Sequence, residues 1–104
     1  MNLSSLFPFN RSQIRRALLE GATIVDVRGS HAFDNGKIRD SFNMPLERLD
    51  INVERLRNMR RPIIVCGNSG SEASSAIQFL ESKGIKGLLN GGDWKSLYAS
   101  IKKI

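Results

Sequence analysis

Cys66 is the only cysteine in the chain, and it stands where the apolar run IIV gives way to the small polar segment GNSGS. A thiolate is a good nucleophile and can carry sulfur, so a cysteine in this setting raises the question of covalent chemistry. Gly67, Asn68, Ser69, Gly70 and Ser71 supply two glycines and three small polar side chains. A loop of that kind can turn successive backbone N–H groups inward and cradle an anion. A helix expected to begin near Glu72 would aim its positive end at the same point. Both features would lower the thiol pKa. The same residues also fit a buried cysteine followed by an ordinary strand-to-helix turn, and spacing alone does not choose between the two. Asn68, Ser69 and Ser71 serve a bound oxyanion in the first case and their own turn in the second.

The elements that must position this segment are legible from periodicity. NRSQIRRALLEG predicts a first helix with Ile14, Ala17 and Leu18 on one face, Asn10 and Gln13 spaced as a capping box, and Gly21 as its stop. ATIVDV and RRPIIVC are short, largely β-branched runs that predict buried strands, the second with Pro62 at its start, where a missing N–H costs least. RGSHAFDNGKIRDS is a polar connection with room for one helical turn, and FNMP is too short to assign on its own but is compatible with an edge or minor strand. LERLDINVERLRNM places Leu49, Val53 and Leu56 at helical spacing. After the Cys66 loop, Ala73, Ala76, Ile77 and Leu80 mark another helix, closed by Gly84. IKGLLN predicts a further strand and GGD a turn, with Asp93 as N-cap of a last helix burying Trp94, Leu97, Tyr98 and Ile101. Helices alternating with apolar strands predict an α/β fold with a mostly parallel sheet covered on both faces. In such sheets ligands sit at the carboxyl ends of the strands, where Cys66 falls.

Composition narrows the class. The 104 residues suffice for one domain, taken as 1–104, and no apolar run is long enough to span a bilayer. The N-terminus lacks the positive n-region of a secretory signal. One cysteine excludes an intramolecular disulfide framework and a multi-cysteine metal site, which points to the cytoplasm. The formal charge of +6 attracts anions of any kind. The basic residues are scattered, the densest group being Arg55, Arg57, Arg60 and Arg61, and none is interleaved with aromatics. Neither nucleic acid nor membrane is therefore expected as a partner, and nothing demands an oligomer, so a monomer is expected.

Several segments in order resemble the single-domain rhodaneses, a family of small sulfurtransferase domains. They are Asp26-Val27-Arg28 at a strand end, Gly36-Lys37-Ile38, Asn43-Met44-Pro45, IIVCGNSGSEAS, and FLESKGIKGLLNGGDWKSL. The resemblance spans roughly residues 10 to 100. It implies a three-layer domain with a mostly parallel sheet of about five short strands. It also implies a mechanism in which Cys66 takes a sulfane sulfur from a small anionic donor such as thiosulfate. The persulfide then hands the sulfur to cyanide or a thiol, and backbone N–H groups of residues 67 to 72 hold it. No metal or organic cofactor is implied.

Two residues depart from the pattern. Active members usually have six residues from the cysteine to an arginine that closes the loop. Here there are seven, and Glu72 stands at the closing position. A carboxylate turned inward would repel an anionic donor. Turned outward at the first turn of the helix, the orientation expected here, it stabilises the helix by about 0.3–1 kcal/mol. Lys37 stands where the family often has histidine and is expected to be solvated. Asp26 and Arg28 support the site rim or, as the favoured reading, hold nearby turns. His31 is expected on a loop surface, Trp94 in the core, and Gly91 and Gly92 in backbone geometry. Besides sulfur transfer, Glu72 and the basic surface suit a non-catalytic module of the same fold that binds an acidic protein. The longer loop also resembles the rhodanese-related phosphatases and arsenate reductases, but it lacks the arginine they use.

Overall fold

The computed structural model describes residues 11–104; the proposed Asn10 cap lies outside them. The first helix, α1, spans Arg11–Leu19 and leads into strand β1, Thr23–Asp26. A five-residue helix α2, Ser30–Asp34, and a two-residue strand β2, Phe42–Asn43, follow. A 3-10 turn at Leu46–Arg48 precedes α3, Leu49–Arg57, so the predicted single helix is divided. Strand β3, Ile63–Gly67, helix α4, Gly70–Ser82, strand β4, Leu88–Asp93, and helix α5, Trp94–Lys102, complete the chain. No helix among the described residues is long and apolar enough to cross a membrane.

The strands form one sheet in the order β2-β1-β3-β4, and every pairing is parallel. The expectation of about five strands therefore becomes four among the described residues. Strand β3 is buried along its whole length, which is why it reads as a continuous apolar run rather than an alternating one. Its odd positions Ile63 and Val65 join Val25, Val27, Leu49, Val53, Leu56, Ala73, Ala76 and Leu80 beneath α3 and α4. Its even positions Ile64 and Cys66 join Ile14, Ala17, Ile38 and Leu97 beneath α1 and α5. The strand period of two thus divides the core into two halves, and the molecule into three layers.

Local chemistry explains most of the boundaries and three differences from expectation. Gly84 has φ +82°, the left-handed conformation that ends α4. Helix α4 begins at Gly70, two residues before the position expected, because the Ser69 hydroxyl accepts the Glu72 N–H and caps it. The GGD segment is not a turn. It is the end of β4, where Val65 pairs with Asn90 and Cys66 with Gly92, leaving Gly91 as a bulge. A Cβ at Gly91 would lie 2.6 Å from Ile64 Cγ2, so only glycine lets β4 pass this close to the core. Asp93 does cap α5, through Ser96 N. Tyr98 is 40% exposed and does not share the buried face. At 100° per residue Trp94, Leu97 and Ile101 face the sheet, and position 98 falls on the flank.

The arginine group is largely consumed by the fold. Arg61 donates to the carbonyls of Leu56, Arg57, Met59 and Lys86, Arg57 to that of Lys83, and Arg60 to that of Glu20. Guanidinium groups here satisfy carbonyls left open at helix ends, where the helix dipole also favours a cation.

Candidate functional site

The carboxyl ends of β1, β3 and β4 bring Asp26, Cys66, Gly67, Gly92 and Asp93 together. Asp26 pairs with Cys66 across β1 and β3, and Gly67 pairs with Asp93 across β3 and β4. The loop proper is only Asn68 and Ser69, since β3 runs through Gly67 and α4 starts at Gly70. Asn90 braces this corner. Its Nδ2 donates to the Gly70 carbonyl at 2.9 Å, and its Oδ1 accepts the Gly92 N–H at 2.8 Å. Sequence reasoning passed over Asn90, although a polar residue closing an apolar strand is the signal that marks it.

Cys66 is fully buried. It lies one residue inside the strand and points toward α1 and α5, not into the loop. Burial pushes its thiol well above the ordinary range. The Asp26 carboxylate adds to the rise, the Arg28 guanidinium opposes it, and Asp93 adds again. The expected lowering by loop and helix does not occur, because the side chain sits on the apolar side of the sheet, away from the loop interior. We expect alkylation of Cys66 in the native protein at pH 8 to run at least about a hundredfold slower than in denaturant, since reaction needs local opening. Iodoacetamide labelling followed by mass spectrometry checks this; comparable rates would mean that the thiol is open to solvent.

Residue 67 has the other orientation. A Cβ built on Gly67 points at Glu72, colliding with its Oε1, and lies 3.2 Å from Val27 Cγ2. The Glu72 carboxylate has turned back rather than outward. Its Oε1 accepts the Asn68 backbone N–H at 2.9 Å, and both its oxygens lie 3.4 Å from Asn68 Nδ2. An N–H that would otherwise be offered to an anion is thereby taken by the chain's own carboxylate. Asn68 and Ser69 serve their own turn, and Ser71 is exposed.

Asp26 and Arg28 form a buried ion pair, with Nη2 2.8 Å from Oδ2. Arg28 also donates to the carbonyls of Ala32 and Gly36 and lies 4.2 Å from the Trp94 ring centroid. It therefore ties β1 to the middle of α2, to the turn that follows α2 and to α5, as its favoured structural reading requires. Asn43, whose role the sequence did not disclose, donates to the carbonyls of Asp26 and Arg28 and seats β2 beside them. Lys37 and His31 are exposed. Trp94 is half-buried, stacked on Arg28 rather than enclosed. The Ser96 N–H holds the Asp93 carboxyl below the usual carboxylate range.

Residues 11–97 match the Rhodanese-like domain family. The NMR structure of the rhodanese-like domain of an Anabaena sp. protein superposes with a TM-score of 0.69 at 29% identity, covering 90% of this chain and 74% of that one. A crystal structure of a rhodanese-like domain from the same Anabaena protein gives 0.61 at 33% identity, with 69% and 85% covered. A rhodanese-like domain protein from Staphylococcus aureus gives 0.71 at 20% identity, with 86% and 88% covered, a likeness of fold alone. No curated protein sequence matches the chain.

Proposed function

Since this chain belongs to the rhodanese-like domain family, within the sulfurtransferase superfamily, we propose that it is a member that keeps the fold as a binding module and does not carry sulfur. The observation that supports this is the division of labour between residues 66 and 67. The thiol is buried in the α1/α5 half of the core, while the position facing the loop is glycine and the space before it holds the Glu72 carboxylate. Sulfur transfer needs a nucleophile that meets an anionic donor in a site that stabilises negative charge. Here the nucleophile is on the wrong side of the sheet, and the loop already carries a negative charge. The loop count agrees. Counted from position 67 to Glu72 there are six residues, the spacing the resemblance assigns to active members, so the seventh arises from starting one residue too early.

The competing reading makes Cys66 a persulfide carrier for a donor such as thiosulfate, with a thiol or cyanide as acceptor. Intact-mass spectrometry separates the two. The protein is incubated with thiosulfate and, separately, with a small-molecule persulfide, alongside a Cys66→Ser variant. We expect no gain of a sulfur atom by either protein. A sulfur adduct on the wild type that cyanide removes, absent from Cys66→Ser, would restore the transferase reading. The oxyanion phosphatase or reductase reading has the least support, because those enzymes use a cation at the position where Glu72 stands.

A further inference from the structure

The net positive charge is not spread evenly over the three layers. Helix α1 and the α5 segment through Lys103 carry Arg11, Arg15, Arg16, Lys95, Lys102 and Lys103, and no Asp or Glu. On the opposite layer, α3 and the α4 segment through Lys83 carry Asp50, Glu54, Glu72 and Glu81 against Arg55, Arg57 and Lys83. The two cationic helices flank a groove of about 270 Å³. Arg11, Arg15 and Leu18 form one wall, Ser96, Ser100 and Lys103 the other, and Ala99 also lines it. No acidic side chain lines it. Arg11 and Arg15 stand one helical turn apart, about 6 Å along the surface. Arg15 and Lys103 bring like charge to the two walls.

From this segregation of charge we infer that the α1/α5 groove is the docking surface for an acidic segment of another protein, with carboxylates at successive turns meeting Arg15 and Lys103. The planar guanidinium fork suits carboxylates, and the small Ser96, Ala99 and Ser100 side chains let a peptide backbone approach α5 closely. The groove offers no aromatic platform on which nucleotide bases could stack. Trp94 and Tyr98 lie outside it, with Lys95 and Lys102 over their rings. A membrane surface would need a continuous apolar face between the cations. The apolar lining of the groove is limited to Leu18, Ala99 and Ile104.

The inference rests on the binding-module reading, but its test does not involve Cys66 or the loop, so each can fail alone. A fluorescein-labelled peptide alternating glutamate and alanine is titrated with the protein at low and physiological ionic strength, and fluorescence anisotropy is read. The same peptide with glutamine for glutamate, a single-stranded DNA and phosphatidylserine vesicles serve as competing probes. We expect the glutamate peptide to bind best. R15E/K103E should weaken it at least about tenfold, while R39E/R48E, the same charge change away from the groove, should weaken it less than about threefold. Circular dichroism checks that both variants fold, and R15Q/K103Q replaces the reversal if it does not. Equal losses in the two variants, equal binding of the glutamine peptide, or tighter binding of DNA or vesicles would overturn the assignment.

Discussion

Replacing Arg28 by alanine is expected to lower the free energy of unfolding by about 3–5 kcal/mol, the cost of leaving a buried carboxylate without its partner. Domains of this size are stable by only about 5–15 kcal/mol, so the variant should sit near the edge of folding. Asp26 is fully buried and Arg28 is 3% exposed. Three donor contacts from the guanidinium, from Nε to both carboxylate oxygens and from Nη2 to Oδ2, satisfy the Asp26 carboxylate, together with the Arg28 backbone N–H. Removing the side chain also frees the carbonyls of Ala32 and Gly36 and strips one face of Trp94. Urea unfolding followed by Trp94 fluorescence measures the loss, because Trp94 is the only tryptophan and lies against the pair. Asp26→Asn/Arg28→Met should recover part of it, since an under-bonded neutral amide costs less to bury than an unpaired carboxylate. A loss below about 1 kcal/mol for Arg28→Ala would mean that water reaches Asp26 and that the pair behaves as a surface one.

The second large effect is a gain. In a Cys66→Ser background, Gly67→Cys combined with Glu72→Ala is expected to take up one sulfur atom from thiosulfate or a persulfide donor, where the parent takes none. A thiol at 67 would point into the loop, where the Asn68 N–H is released once the Glu72 carboxylate is gone. The start of α4 would then favour the thiolate. Gly67→Cys alone should load poorly, because the new side chain meets Glu72 Oε1 and a negative charge beside it disfavours the thiolate. The readouts are intact mass and the pH dependence of alkylation. The double variant should alkylate with a lower apparent pKa than Gly67→Cys alone. Identical profiles in the two would remove Glu72 from the account, and sulfur uptake by the wild type at Cys66 with none by the Gly67→Cys/Glu72→Ala protein would reverse the assignment of the two positions.

Much of the fold was legible along the chain because local physics and the tertiary structure agree. The i, i+3, i+4, i+7 set Ala73, Ala76, Ile77 and Leu80 marks α4, and three of the four are fully buried or close to it. The strands β1 and β3 announce themselves by β-branched runs, and Asp93 caps α5 as its type suggests. Other features depend on partners distant in sequence. The ending of GGD in a bulged strand rather than a turn is decided by Ile64 and Leu97, which approach Gly91 from β3 and α5. The inward turn of Glu72 is decided by the Asn68 N–H, which points back along the helix start. The partners of Asn43 and Asn90 are carbonyls 17 and 20 residues away, so a polar residue at a strand end can mark Asn90 but no local pattern names what either residue bonds.

By itself the sequence determined an α/β domain of the rhodanese-like kind, with one cysteine at the carboxyl end of its central strand before a glycine-containing loop and a helix. Only the tertiary structure decided which way that cysteine faces. Side chains on a strand alternate between faces, so whether Cys66 or residue 67 enters the loop turns on a single residue of register. That register is set by pairing across the sheet, Asp26 with Cys66 on one side and the Gly91 bulge on the other. Those pairings leave the thiol in the core and a glycine facing Glu72.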